Sequence, residues 1–262
     1  MKYLGNGISM EYELFGPEGA PTVVVSHSLG SSLIMWAPQL PPLALKFQVL
    51  CYDTRGHGGT AAPDGAYSLD MLGDDAIALM DGLNLAQVHW VGLSMGGMIG
   101  QNIALRGGDR FKSLTLCNTS SQIPAAGRAT WDQRIAMATE SGMDLLADGT
   151  MERWFTPGYL AGKPSSVDAI RKQFLATAPT GFAGCCHALK SLDYLEQLPS
   201  IIVPTMIIAG ADDMSTPVAA SEAMAERIPG SQLVVLEDAA HLSNIEQAET
   251  FNAAMMGFLN TQ

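Results

Sequence analysis

One stretch constrains the fold of this chain more than any other: Val88-His-Trp-Val-Gly92-Leu93-Ser94-Met95-Gly96-Gly97. It reads as a strand, then Gly-x-Ser-x-Gly, then a helix. A sharp turn from strand to helix drives the serine backbone into strained dihedrals, and small residues two positions to either side avoid a clash. The serine hydroxyl then stands above the sheet, beside the positive end of the following helix. The five-residue pattern alone arises by chance in roughly one chain in ten, given average glycine and serine usage. The buried strand before it and the helical spacing after it make it specific.

The rest of the chain repeats that alternation. Lys2–Leu4 and Ile8–Phe15, parted by Gly5-Asn6-Gly7, read as an antiparallel opening. Strands follow at Thr22–Ser26, Gln48–Tyr52, Val88–Val91, Ser113–Cys117, Thr205–Ala209 and Gln232–Leu236. Helical spacing marks Leu69–Leu83, Met95–Leu105, Ala219–Arg227 and Ile245–Leu259. Such alternation predicts an α/β fold: a mostly parallel sheet with helices on both faces and ligands outside the carboxyl ends of the strands. From about Ser121 to Tyr194 the pattern is helical only, over Trp131–Thr139, Met143–Phe155, Ser166–Ala176 and Gly181–Leu192, punctuated by prolines. That is too long for one crossover. The organisation expected is therefore a core of residues 1–120 and 195–262 carrying an inserted helical lid, 121–194.

Composition narrows the function. With 262 residues the chain suits one large domain or a core with a modest insertion, and 47% apolar residues exclude a disordered one. A net charge of −12 argues against nucleic-acid or anionic-membrane partners. Cys51, Cys117, Cys185 and Cys186 form neither a disulfide framework nor a zinc spacing. The amino terminus lacks the apolar stretch of a signal peptide, and no run of about 18 apolar residues exists to span a bilayer. The plain reading is a reduced, cytoplasmic chain whose partner is a small molecule, with oligomeric state left open.

A serine hydroxyl attacks only with a base beside it. His241 follows the strand ending at Leu236 and precedes the last helix, on the same rim as Ser94. His27 and His57 sit in glycine-containing turns and read as backbone-ordering residues, His89 as a packed strand residue, and His187 as a lid residue able to line the pocket. The base needs an acceptor to fix its tautomer. Asp213 is favoured in Gly210-Ala-Asp-Asp-Met-Ser-Thr-Pro217, with Asp212 as the alternative and Asp238 read as a turn residue. Charge on a substrate carbonyl oxygen needs two backbone donors, for which the N–H groups of Leu29 and Met95 are placed. This chemistry requires no metal and no cofactor.

Elbow, acid, base and lid together resemble the α/β-hydrolase superfamily along the whole chain. His27-Ser-Leu-Gly30, Tyr52-Asp-Thr-Arg-Gly-His-Gly58, Leu116-Cys-Asn-Thr119, Glu152-Arg-Trp-Phe-Thr-Pro157 and Ala239-Ala-His-Leu-Ser243 are similar to the 3-oxoadipate enol-lactonases of aromatic catabolism and the esterases nearest them. The resemblance implies a serine hydrolase that opens an enol-lactone through an acyl-enzyme. The alternative is a carboxylesterase for small neutral or aromatic esters. A carbon–carbon bond hydrolase, a cofactor-free haloperoxidase and a non-catalytic binding protein are more distant readings. The lid departs from the lactonase pattern at Lys190-Ser191, where an arginine and an aspartate are usual. An enol-lactone of this kind carries a carboxylate, so a local cation must act against the global charge. Arg128, Arg134 and Lys190 are the candidates, Trp131, Trp154 and Phe155 are expected as apolar wall, and Arg55 reads as structural.

Overall fold

Val23, Val24 and Val25 are all buried, because the strand that carries them is covered on both faces. The computed structural model describes residues 1–262, and the burial of all of them but Gly108. Eight strands are present: β1 (Lys2–Gly5), β2 (Ile8–Phe15), β3 (Thr22–Ser26), β4 (Gln48–Tyr52), β5 (Val88–Leu93), β6 (Phe111–Cys117), β7 (Thr205–Gly210) and β8 (Gln232–Leu236). They form one sheet in the order β1-β2-β4-β3-β5-β6-β7-β8. The β1–β2 and β2–β4 pairs are antiparallel, and every pair from β4 to β8 is parallel. The sheet is thus the mostly parallel one that the alternating pattern implies.

Helices α1 (Leu40–Ala44), α2 (Leu69–Gly82) and α3 (Met95–Gly107) connect the first strands. Between β6 and β7 lie α4 (Arg128–Ser141), α5 (Asp144–Trp154), α6 (Pro157–Ala161), α7 (Ser165–Ala176) and α8 (Pro179–Lys190). The chain closes with α9 (Val218–Arg227), α10 (Ser243–Glu246) and α11 (Ala248–Leu259). The two ends of the helical insert are stitched at its neck, where Tyr194 N–H donates to Ser121 O at 2.7 Å and Ile123 N–H to Leu192 O at 3.0 Å.

Within the insert the helices differ sharply. On α8 all of Gly181–Cys186 is buried, and Gly181 lies so close to Gly56 that a Cβ on either would come within about 2.5 Å of the other's backbone. On α4 only Ala138 is buried. The sequence suggests one last helix over Ile245–Leu259, but the structure breaks it at Gln247 (φ −119°, ψ 49°). The short α10 stays turned toward the loop before it, where the Glu246 carboxylate accepts Ala240 N–H at 2.9 Å and Thr156 N–H at 3.0 Å. Those side-chain demands are invisible to a periodicity argument. No described helix is long and apolar enough to cross a membrane, and all four cysteines are free and buried.

Candidate active site

At the end of β5 the backbone of Ser94 adopts φ +55°, a left-handed conformation that side chains other than glycine and asparagine seldom take. Its neighbours allow it. A Cβ on Gly92 would stand 2.2 Å from Gly96 O, and one on Gly96 would stand 2.0 Å from Ser26 O. Ser94 N–H donates to Cys117 O at 2.9 Å, and its carbonyl accepts the Thr119 hydroxyl at 2.7 Å. The Trp90 indole N–H holds Gly96 O at 3.0 Å. Strain at the serine is therefore over-determined by its surroundings, as functional strain must be.

Asp213 follows β7 and is buried, and its carboxylate is saturated with donors. Oδ1 accepts the N–H groups of Ser215 and Thr216 at 2.8 and 3.0 Å. Oδ2 accepts the Thr216 hydroxyl at 2.6 Å, Asn118 Nδ2 at 3.0 Å and His241 Nδ1 at 2.8 Å. Burial alone would push this carboxyl up. The His241 ring charge and the hydrogen bonds from His241, Thr216 and Asn118 outweigh it and bring the pKa down to about 2. Asp212 and Asp238 are exposed and neither touches His241. With Nδ1–H committed to Asp213, His241 keeps Nε2 for a proton in transit. Ser94 and His241 open onto one cavity of about 400 Å³.

Asn118 is one residue whose role sequence reasoning missed. Besides Asp213, its amide donates to Ala240 O at 3.1 Å, and its carbonyl accepts the Ser243 hydroxyl at 2.5 Å, so it spans the acid and the loop of the base. Its signal was an asparagine closing a buried strand, a residue tolerant of the positive φ (43°) found there. Of the two donors expected for an oxyanion, Leu29 borders the cavity and Met95 opens α3. Among the described residues no protein acceptor takes the N–H of either.

The insert forms the facing wall. Trp154 lies over His241 with ring centroids 6.4 Å apart and planes inclined by 31°, and its carbonyl accepts Leu242 N–H at 3.0 Å. Trp131 borders the cavity, and the Arg134 guanidinium lies over its ring at 4.9 Å. Arg153 borders the cavity as well, oriented by a 3.1 Å hydrogen bond to Thr150 Oγ1. Burial lowers the pKa of both arginines, and the charge of Arg134 lowers that of Arg153 further. Among the described residues neither has an acidic partner. Arg153 lies in the Arg-Trp-Phe stretch, whose spacing gives it no role.

Four expected pocket residues need correction. His187 is exposed on the outer face of α8, and Lys190 pairs with Asp132 at 2.5 Å on the surface. On α8 the inward positions are taken by Cys185, Cys186 and Leu189, so the helical turn that buries these faces His187 outward. Arg128 is exposed too, and Phe155 is buried against Tyr159 away from the cavity. Arg55 makes a buried two-pronged ion pair with Asp75 at 2.6 and 2.7 Å, and His89 bonds Ser113 inside the sheet at 2.8 Å. Among the described residues no group of three or more His, Cys, Asp or Glu side chains is placed to hold a metal ion.

Comparison with known proteins agrees with this fold. Residues 21–248 match the family model described as the alpha/beta hydrolase fold. The chain is 39% identical over 248 residues to 3-oxoadipate enol-lactonase 2 of Acinetobacter baylyi, covering 95% of this chain and 92% of that one. It superposes on the enol-lactonase from Burkholderia xenovorans LB400 with a TM-score of 0.96 at 39% identity, covering 99% and 100% of the two chains. A thermophilic esterase from Thermogutta terrifontis, in a malate-bound structure, is 28% identical with a TM-score of 0.93 over 100% of this chain and 98% of that one.

Proposed function

This chain belongs to the alpha/beta hydrolase family, and from that premise we propose that it opens a carboxylate-bearing enol-lactone, 3-oxoadipate enol-lactone being the substrate that fits, with Ser94 as nucleophile. It is a hydrolase of ester or lactone bonds, with relatives named as enol-lactonases. His241 Nε2 takes the Ser94 proton as Oγ attacks the carbonyl, while the N–H groups of Leu29 and Met95 meet the oxyanion. Asp213 holds the imidazole in its working tautomer and balances the imidazolium. His241 then protonates the leaving enol oxygen, and water releases the acid by the reverse sequence. In a lactone the leaving oxygen stays tethered and can reclose the ring. An enol avoids this, since ketonisation removes the returning nucleophile. Residues 121–194 act as the lid over this chemistry.

The observation that carries the choice of substrate is the convergence of Arg134 and Arg153, unpaired, in the cavity of Ser94 and His241. A chain of net charge −12 repels anions at long range, so two half-buried guanidiniums without an ion-paired acid mark a place for a small carboxylate. Charge-assisted hydrogen bonds of this kind contribute roughly 1.5–3 kcal/mol each. Replacing both arginines by glutamine should lower kcat/KM for the anionic enol-lactone by about a hundredfold, and leave a neutral aryl acetate within about threefold. Equal losses on both substrates, or none on either, would remove the anionic reading. The second reading is a carboxylesterase for small aromatic esters. It draws on Trp131, Trp154, Phe174 and Phe182 around the same cavity and is favoured if the two substrates are turned over alike.

A further inference from the structure

His27 and His57 are buried, take no part in the acyl transfer, and both grip the loop that carries Leu29. His27 Nδ1 lies 2.7 Å from Ser28 O, and its Nε2 lies 2.9 Å from the N–H of Thr54. His57 Nε2 lies 2.8 Å from the N–H of Gly30, and its Nδ1 lies 3.2 Å from Arg55 O. A carbonyl only accepts and an amide N–H only donates. Each ring is therefore neutral, with its proton on Nδ1 and its lone pair on Nε2. The ring centroids are 5.2 Å apart.

The peptide unit is planar and trans, so its carbonyl and its N–H point in opposite directions. Fixing Ser28 O by His27 thereby fixes where Leu29 N–H points. Fixing Gly30 N–H by His57 does the same for the next peptide plane, whose carbonyl is that of Leu29. Both planes around Leu29 are held, one through its acceptor and one through its donor. Gly30 itself adopts φ +73°, and a Cβ there would meet the Phe174 ring at 2.7 Å, so the loop has little room to turn otherwise. The far ends of the two rings rest on Thr54 and Arg55, which ties the loop after β3 to the loop after β4.

We infer that His27 and His57 are positioning residues for the reaction: a pair of neutral imidazoles that aims the Leu29 N–H at the substrate oxyanion. The inference rests on the proposed reading of a Ser94 hydrolase with Leu29 N–H as an oxyanion donor. Burial lowers both rings, His27 to about 4 and His57 to about 3, the proximity of His27 further disfavouring a proton on His57. Asp53 faces His57 and opposes that shift, its own carboxylate being occupied by Leu33 and Gly59 N–H groups at 2.8 Å. Neutrality therefore holds at neutral and mildly acidic pH.

Two measurements test it. In intact protein labelled with 15N-histidine, both rings should show the Nδ1–H neutral tautomer by NMR from pH 7.5 down to about 5.5. A ring that carries its proton on Nε2, or that titrates near 6.5, overturns the inference. In parallel, His57→Phe should lower kcat on a neutral aryl acetate by roughly ten- to a hundredfold with KM within about twofold, since a misaimed donor is felt in the transition state. His57→Gln restores an acceptor for Gly30 N–H and should recover kcat to within about fivefold of the parent. A His57→Phe protein with a lowered Tm but an unchanged kcat overturns the inference by making the role structural. If that variant fails to fold, His57→Gln and the tautomer measurement decide. Failure of the underlying reading shows differently: the wild-type protein would take up no organophosphate at Ser94, whatever its histidine tautomers.

Discussion

The rim of the sheet and the helical insert face each other across one cavity, yet they are built on opposite terms. At the rim every polar group of the acid is spoken for: Asp213 has five donors, and Ser94 is held by its own N–H and carbonyl. On the insert two guanidiniums reach the same space without an acid to neutralise them. A saturated site is pre-organised and pays no reorganisation when charge develops, which is what a transition state requires. An unsaturated one waits for a ligand to complete it. On the proposed reading, chemistry belongs to the rim and choice of substrate to the insert.

The largest effects should therefore arise at the rim and be blind to the substrate. Ser94→Ala should cost roughly 10⁴- to 10⁶-fold in kcat on anionic and neutral esters alike, and Asp213→Asn roughly 10⁴-fold, since an amide there no longer fixes the Nδ1–H tautomer. Steady-state kinetics on both substrates read this directly. A Ser94→Ala protein that loses the anionic substrate but keeps the neutral one would break the division of labour at its root.

The same division explains what could be read from the chain. Rim positions follow from backbone rules: three parallel strands ending together, a positive φ forced between Gly92 and Gly96, and an acid and a base in the loops after β7 and β8. Each leaves a local signature in residue type and spacing. The insert offers no such signature, because its contribution depends on which side of each helix meets the core. Lys190 and His187 share a helix with Cys185 and Cys186, and only the packing of α8 against Gly56 decides that the cysteines face in. Arg153 becomes visible only once α5 is docked and Thr150 turns it toward the cavity. Asn118 is an intermediate case: its position at a strand end was legible, but its double grip on Asp213 and the His241 loop required the fold.

Acid provides a second, smaller contrast. Buried histidines on the core side resist protonation, so the unfolded chain takes up protons from about pH 6.5 downward while the folded one does not. Stability should fall as pH drops below 6.5 and go on falling until the folded values, about 4 for His27 and about 3 for His57, are reached. His89, lowered by burial in the sheet, acts in the same direction. Asp213 adds to the loss lower down, its contribution being present above the unfolded value near 3.9 and lost as pH falls toward about 2. Asp53, raised by burial, partly offsets this. Two such histidines give a slope of at most about 2.7 kcal/mol per pH unit near pH 5, or a Tm shift of roughly 5 °C per unit. Thermal melts from pH 7 to 4 should show it, with His57→Gln close to halving the slope. The Arg134/Arg153 double glutamine variant should leave the slope as it is, so a change there would mean that the insert, too, carries the acid response.

The smallest effect is the most discriminating for the insert. Lys190→Ala should leave kcat/KM for the anionic enol-lactone within about twofold, and cost no more than about 0.5–1 kcal/mol of stability, because its ion pair with Asp132 is partly exposed. His187→Ala should be equally silent. Both residues are titratable, lie on the insert and stand within a turn of buried α8 positions, so a cation attracting anions only by general proximity would register in either. A tenfold loss with Lys190→Ala would require its ammonium to reach the cavity, and that in turn requires α4 to swing off α8, since Asp132 on α4 now holds it outside. Such a result would make the selecting wall a moving one, with Ala138 the sole buried anchor of α4. Silence at Lys190 beside a hundredfold loss at Arg134 and Arg153 would instead fix selection to the two guanidiniums that border the cavity of Ser94.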